Sequence, residues 1–183
     1  MEVSVIHDKV LSIKTANPTA ITDTIGKSKI AGESGGIYDV WVDFSLGTAH
    51  ILNNMNIPNV PSPIRTQYAW AGVYKPFDHQ RVTSEFLTLN KKAFCFNEMG
   101  TGKTNSVIWA ADYLMQLGVV RRMLVVCPLS IMDAAWRRDL FRTAMHRSVE
   151  IAHGDRHKRA AIINGDAEVV IINFDGVEIV EQE

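Results

Sequence analysis

One octapeptide, Asn97-Glu98-Met99-Gly100-Thr101-Gly102-Lys103-Thr104, holds residue types suited to gripping an anion. Glycines at 100 and 102 let backbone N–H groups approach phosphate oxygens, and a helix starting just after them adds partial positive charge. In such a cradle Lys103 reaches the β- and γ-phosphates of a nucleoside triphosphate, and the Thr104 hydroxyl holds Mg²⁺. The pattern G-x-x-x-x-G-K-[ST] asks for glycine where Asn97 stands. Asparagine tolerates left-handed backbone angles better than most residues, so the exchange is physically admissible. The alternative is a chance glycine-rich turn ahead of a helix.

A phosphate cradle needs a strand before it and a helix behind it. Residues 93–96, Ala-Phe-Cys-Phe, predict the strand. Val107, Ile108, Ala111, Leu114 and Met115 share one face of a helix closed by Gly118. Upstream, Asp78 can cap a helix carrying Val82, Phe86 and Leu89 on one face. Downstream, the unbroken apolar run at 123–127 reads as a strand covered on both sides. Ser130 with Asp133 resembles a capping box opening a helix with Met132, Ala135, Trp136, Leu140 and Phe141. A strand near 149–152, a helix near 156–163 and a buried strand at 169–172 follow. Strands alternating with helices predict an α/β fold, a parallel sheet with right-handed crossovers and helices on both faces.

Residues 1–60 have a different rhythm. Short strands are expected at 3–6, 10–14 and 37–44, a Gly/Ser/Lys-rich turn or mobile loop at 25–36, and a helix capped by Ser45. Pro58, Pro61 and Pro63 then punctuate the chain. The expected organisation is a small α+β appendage over 1–60 and a nucleotide-binding portion over 61–183. The 183 residues, 46% of them hydrophobic, can build a core, and the net charge of -1 confines any nucleic-acid site to a local patch. Residues 121–160 hold nine basic against four acidic side chains, a local excess of five positive charges that suits a phosphate backbone. Cys95 and Cys127 read as reduced and buried, and His153 and His157 lack an acidic or cysteine partner for a metal site. Nothing in the sequence reads as a leader or a membrane span.

Several segments together resemble the first RecA-like domain of superfamily 2 helicases, and most of all the Swi/Snf-type translocases with their phage and bacterial relatives. The loop Glu98-Met99-Gly100-Thr101-Gly102-Lys103-Thr104 is similar to that group's E-M-G-x-G-K-T signature, which carries a polar residue where Asn97 stands. Lys75-Pro76-Phe77-Asp78-His79-Gln80 resembles its adenine-reading element, so the likeness implies adenine recognition by Gln80. Val125-Val126-Cys127-Pro128-Leu129-Ser130 resembles motif Ia, implying phosphate contact with DNA through Pro128, Leu129 and Ser130. His153-Gly154-Asp155-Arg156-His157-Lys158-Arg159 and Ile171-Ile172-Asn173-Phe174-Asp175 are similar, more loosely, to the segments that follow.

The resemblance implies an ATP- and Mg²⁺-dependent enzyme that moves on DNA, single- or double-stranded, in preference to RNA. Lys103 and Thr104 would be its catalytic residues, and residues 97–104 with Gln80 its nucleotide contacts. It implies a bacterial or phage-infected cytoplasm and no membrane partner. Such an ATPase also needs an Asp-Glu pair at a strand end, and no apolar strand here runs into one. The chain therefore reads as an N-terminal piece whose partner is the C-terminal half of the same polypeptide, inactive alone. Two other classes fit a P-loop. One is a kinase-like phosphotransferase; the other is a nucleotide-binding module without catalysis.

Overall fold

A computed structural model of the chain describes residues 1–182. They divide into two compact units, Met1–Tyr68 with Glu85–Ala93, and Ala69–Ser84 with Phe94–Glu183.

In the first unit, strands β1 (Glu2–Ile6), β2 (Val10–Thr15), β3 (Ser28–Ser34) and β4 (Ile37–Asp43) form an antiparallel sheet in the order β1-β2-β4-β3. Tight turns join the hairpins, over residues 7–9 and residues 35–36. His7 and Asp8 take left-handed angles in one, and Gly35 and Gly36 do so in the other, the twist that antiparallel pairs favour. Alternate residues Leu11, Ile13, Val40 and Val42 point inward and are buried with Ile21 of α1 (Thr19–Thr22) and Ala49 and Leu52 of α2 (Leu46–Asn54). Ser45 caps α2 as expected, its hydroxyl accepting from the Thr48 N–H at 3.2 Å. Of the segment expected to be a turn or a mobile loop, residues 35–36 do turn, but most of the rest is β3. An edge strand exposed along most of its length, with a bulge between Ile30 and Gly32, shows no apolar alternation to reveal it. Ser62, after the prolines and before α3 (Ile64–Gln67), bonds through its hydroxyl to that of Thr88 at 2.7 Å and through its N–H to the Glu85 carboxylate at 2.8 Å.

In the second unit, β5 (Met123–Val126), β6 (Val149–Ala152) and β7 (Val169–Ile172) form a parallel sheet in the order β5-β7-β6. All four residues of β7 are buried, as its position between two neighbours demands. One face packs on Ile108 of α5 (Lys103–Gln116), on Met132, and on Leu140 of α6 (Arg138–Thr143). The other packs on Ile162 and Ile163 of α7 (Arg156–Ile163) and Val180 of α8 (Val177–Gln182). This is the α/β layering expected of a RecA-like sheet.

Three expectations fail here. Residues 93–96 form no strand. Phe94 and Phe96 stack on each other with ring centroids 5.6 Å apart and lie in solvent, 81% and 88% exposed, and Cys95 is only partly covered. The edge strand β5 likewise exposes Leu124 and Val126. Nor does Ser130 cap a helix. A 3₁₀ turn over Leu129–Ile131 leads into a π-helical turn over Met132–Arg137 and only then into α6. The wider turn shifts the helical register, and Phe141 faces solvent rather than the core.

A polar cluster ties α5 to the starts of β6 and β7. The fully buried Asp112 accepts through Oδ1 from Arg147 Nε at 2.6 Å and from His146 Nε2 at 2.9 Å. Arg147 Nη1 donates in turn to Glu168 Oε1 at 2.5 Å. Burial works against the Arg147 charge, but its bonds to Glu168 and Asp112 outweigh that and raise its pKa. The Glu168 carboxyl is held below its ordinary range, first by the Ser148 N–H and then by Arg147. Its proton is bound less tightly in the folded chain than in the unfolded one. The stability it contributes is therefore complete above the ordinary glutamate range and drains away as pH falls through the depressed value. Glu168→Gln is expected to flatten that acid limb in urea-midpoint measurements taken from neutral pH down through the carboxylate range. An unchanged limb would show that the pair carries no proton linkage.

Candidate nucleotide-binding site

The glycine loop lies immediately before α5. Gly100 and Gly102 take φ of 79° and 75°, left-handed angles that favour glycine, and Gly102 is the N-cap residue just before α5. Asn97 is absent from the left-handed residues. The steric argument for asparagine there is thus overturned, and its side chain has another use: Nδ2 donates to Thr83 Oγ1 at 2.9 Å. Lys103 folds back across the loop, Nζ donating to the carbonyls of Asn97 at 2.7 Å and Glu98 at 2.9 Å. Thr101 Oγ1 closes the turn on the Glu98 carbonyl at 2.8 Å. Met99 projects into solvent, 96% exposed, and the backbone from Asn97 to Gly100 is open above it. Thr104 sits on the first turn of α5, and its hydroxyl has no hydrogen-bond partner among the described residues.

Helix α4 (Asp78–Leu89) braces this loop from behind. Its first turns lie in the second unit and its last in the first. The face expected to be buried is the wrong one. Val82 and Phe86 are about half exposed, whereas Gln80, Thr83, Ser84 and Thr88 are buried. Every one of those polar groups has a partner. Gln80 Nε2 and His79 Nε2 both donate to the Thr101 carbonyl, at 3.1 and 3.0 Å. Ser84 Oγ reaches the Ser106 carbonyl of α5 at 3.0 Å. Gln80 Oε1 accepts from the Phe77 N–H at 3.0 Å, which makes Gln80 the third residue of a half capping box with Phe77 as the cap. A side chain at Gly102 would collide with the Gln80 amide, so these two positions are matched. Thr83, Ser84 and His79 were not singled out from the sequence. The available signal was their spacing from Gln80, which puts a stripe of hydroxyls and amides along one side of the helix.

No family model matches the chain, and no curated protein matches it. Among solved structures it is similar to the SWI2/SNF2 ATPase core of Sulfolobus solfataricus in complex with double-stranded DNA. The two are 23% identical over 58% of this chain, with a TM-score of 0.50. The chain spans 23% of that structure. The likeness is one of fold. It sets the parallel sheet and its flanking helices within a RecA-like arrangement.

The second candidate region lies at the carboxyl end of β5. Pro128, Leu129 and Ser130 are exposed, with the Ile131 N–H bonded to the Pro128 carbonyl at 3.1 Å. Among the described residues no hydrogen bond joins this turn to the glycine loop, so the two regions are brought into one unit but not into one network. Cys127, just before the turn, is buried, and burial pushes its thiol pKa up. It is an inert core side chain. Asp155 caps α7 by accepting from the Lys158 N–H at 2.9 Å, a bond that lowers its pKa. Among the described residues no group of His, Cys, Asp and Glu has the makings of a metal cage, and no helix is long and apolar enough to cross a membrane.

Proposed function

We propose that this chain is the ATP-binding portion of an ATP-dependent DNA translocase or helicase. The observation that carries the reading is the loop itself. Two left-handed glycines run straight into α5, and the Lys103 ammonium is drawn across the loop by the Asn97 and Glu98 carbonyls. The residues fit a triphosphate. An anion entering above the loop meets an open backbone, a helix N-terminus and a cation that can exchange carbonyl partners for phosphate oxygens. Thr104, on the first helical turn, would hold Mg²⁺, whose chemistry is to neutralise charge on the phosphates. Gln80 keeps one N–H and one lone pair beyond its bonds to Thr101 and Phe77, the combination an adenine edge requires.

Contact with DNA is assigned to Pro128, Leu129 and Ser130. Support comes from the exposure of that turn and from the groove of about 480 Å³ that follows it, lined by Arg137, Arg138, Arg142 and Phe141 among others. Such contacts would be electrostatic and salt-dependent. Hydrolysis needs an acidic pair that none of β5, β6 and β7 leads into, so nucleotide binding without rapid turnover is the expected behaviour of the chain by itself.

The test is a titration of the chain with a fluorescent ATP analogue and Mg²⁺, with and without duplex DNA. Saturable binding displaced by ATP is expected, together with DNA retention that falls steeply with salt. Phosphate transfer to a small acceptor would point instead to a kinase-like enzyme. Absence of nucleotide binding would sink the proposal.

A further inference from the structure

The bond between Asn97 and Thr83 has a direction that the chemistry dictates. Thr83 sits on the buried side of α4, and its hydroxyl owns a single proton. That proton goes to the His79 carbonyl one turn back, at 2.8 Å. Only lone pairs remain for position 97, so the residue there must donate, and Asn97 does so through Nδ2. The carbonyl of the same residue receives Lys103 Nζ. A chain of bonds thus runs from the α4 backbone through Thr83 and Asn97 to the Lys103 ammonium. On the other side of the loop His79 and Gln80 hold the Thr101 carbonyl. The glycine loop is pinned at both ends to one helix.

We infer that Thr83 and Asn97 are positioning residues. Their hydrogen bond fixes the mouth of the loop, and with it Lys103, in the geometry that receives phosphate. The inference rests on the phosphate-binding reading for its functional consequence, but the brace itself is observable without nucleotide. It also explains the residue type at 97. Glycine would have no side chain to donate, and a carboxylate would set a lone pair against a lone pair.

The experiment uses the full 183-residue chain in five forms: wild type, Thr83→Val, Thr83→Ser, Asn97→Ala and the Thr83→Val/Asn97→Ala double variant. Hydrogen exchange of the amides at 98–102 is measured without ligand, beside ATP-analogue affinity and melting temperature. Thr83→Val and Asn97→Ala are each expected to speed exchange in the loop and to weaken affinity by about fivefold to tenfold, the worth of one hydrogen bond. The double variant should lose no more than either alone, because both remove the same bond. Thr83→Ser should stay within about twofold of wild type, since it keeps the hydroxyl. Amides of β7 should be unaffected, which separates a brace from a general loss of stability. Unchanged loop exchange in both single variants, or losses that multiply in the double, overturns the inference. Wild-type protein that takes up no nucleotide overturns the phosphate reading instead, and the exchange measurement still decides the brace.

Discussion

Lys103→Ala is expected to weaken ATP affinity by on the order of 100-fold, with little change in melting temperature. Among the described residues the Lys103 ammonium serves only its own loop. It makes two bonds, to the Asn97 and Glu98 carbonyls, in a loop that is otherwise open to solvent. Water replaces such bonds at small cost, so removing them shifts stability by about 0.5 kcal/mol or less, or roughly 2 °C in melting. A phosphate is a different partner. Charge-assisted bonds are worth about 1.5–3 kcal/mol each, and the triphosphate keeps its full charge when the cation is gone. Lys103→Arg should rescue only in part, because a planar fork does not reproduce a compact point charge. Equal affinity in wild type and Lys103→Ala by calorimetric titration would place the nucleotide elsewhere, or nowhere.

Asp112→Ala should be the most damaging single change in the second unit, at about 3–5 kcal/mol. Asp112 is completely buried on α5 and accepts from Arg147, His146 and Gln116. Truncation leaves Arg147, itself mostly covered, with Glu168 as its remaining carboxylate and opens a polar void between α5 and the starts of β6 and β7. Against a typical domain stability of about 5–15 kcal/mol, that loss lowers melting by on the order of 10 °C. Asp112→Asn is expected to cost less. One carboxamide oxygen still accepts from Arg147, and the remaining Arg147–Glu168 pair is charge-balanced. Hydrogen exchange localises the effect: amides of β6 and β7 should lose protection while β2 and β4 keep theirs. Wild-type melting in Asp112→Ala would mean that the cluster contributes nothing net.

The parts of the fold visible from sequence were those governed by burial. The run at 169–172 is continuous because β7 is covered on both faces, and Ser45 announces its helix by a cap that needs only local geometry. Where polar bonding rather than burial sets the structure, periodicity misleads. Helix α4 shows Val82 and Phe86 to water and buries Gln80, Thr83 and Ser84, because their side chains meet partners on the glycine loop and on α5. No count of apolar residues registers a bond to a carbonyl some twenty positions away. The residues 93–96 have the composition of a strand but lack a neighbour to pair with, and composition alone makes no ladder. The candidate loop was legible as glycines, a lysine and a threonine. What anchors it is not legible, since Asn97 acts through its side-chain amide and not through a left-handed backbone.

The uncovered rim of the second unit has a practical side. Phe94 and Phe96 stand almost free in water, and β5 offers both Leu124 and Val126 and one flank of unpaired main chain. Open sheet borders bearing aliphatic groups are adhesive, and nothing along β5 repels a like neighbour: its four residues, Met-Leu-Val-Val, carry no charge. Purified stocks of this chain will clump as they are concentrated, and warming or kosmotropic salt will hasten it. Dilute, chilled, low-sulfate buffers are therefore the conditions under which its ligand chemistry is best measured.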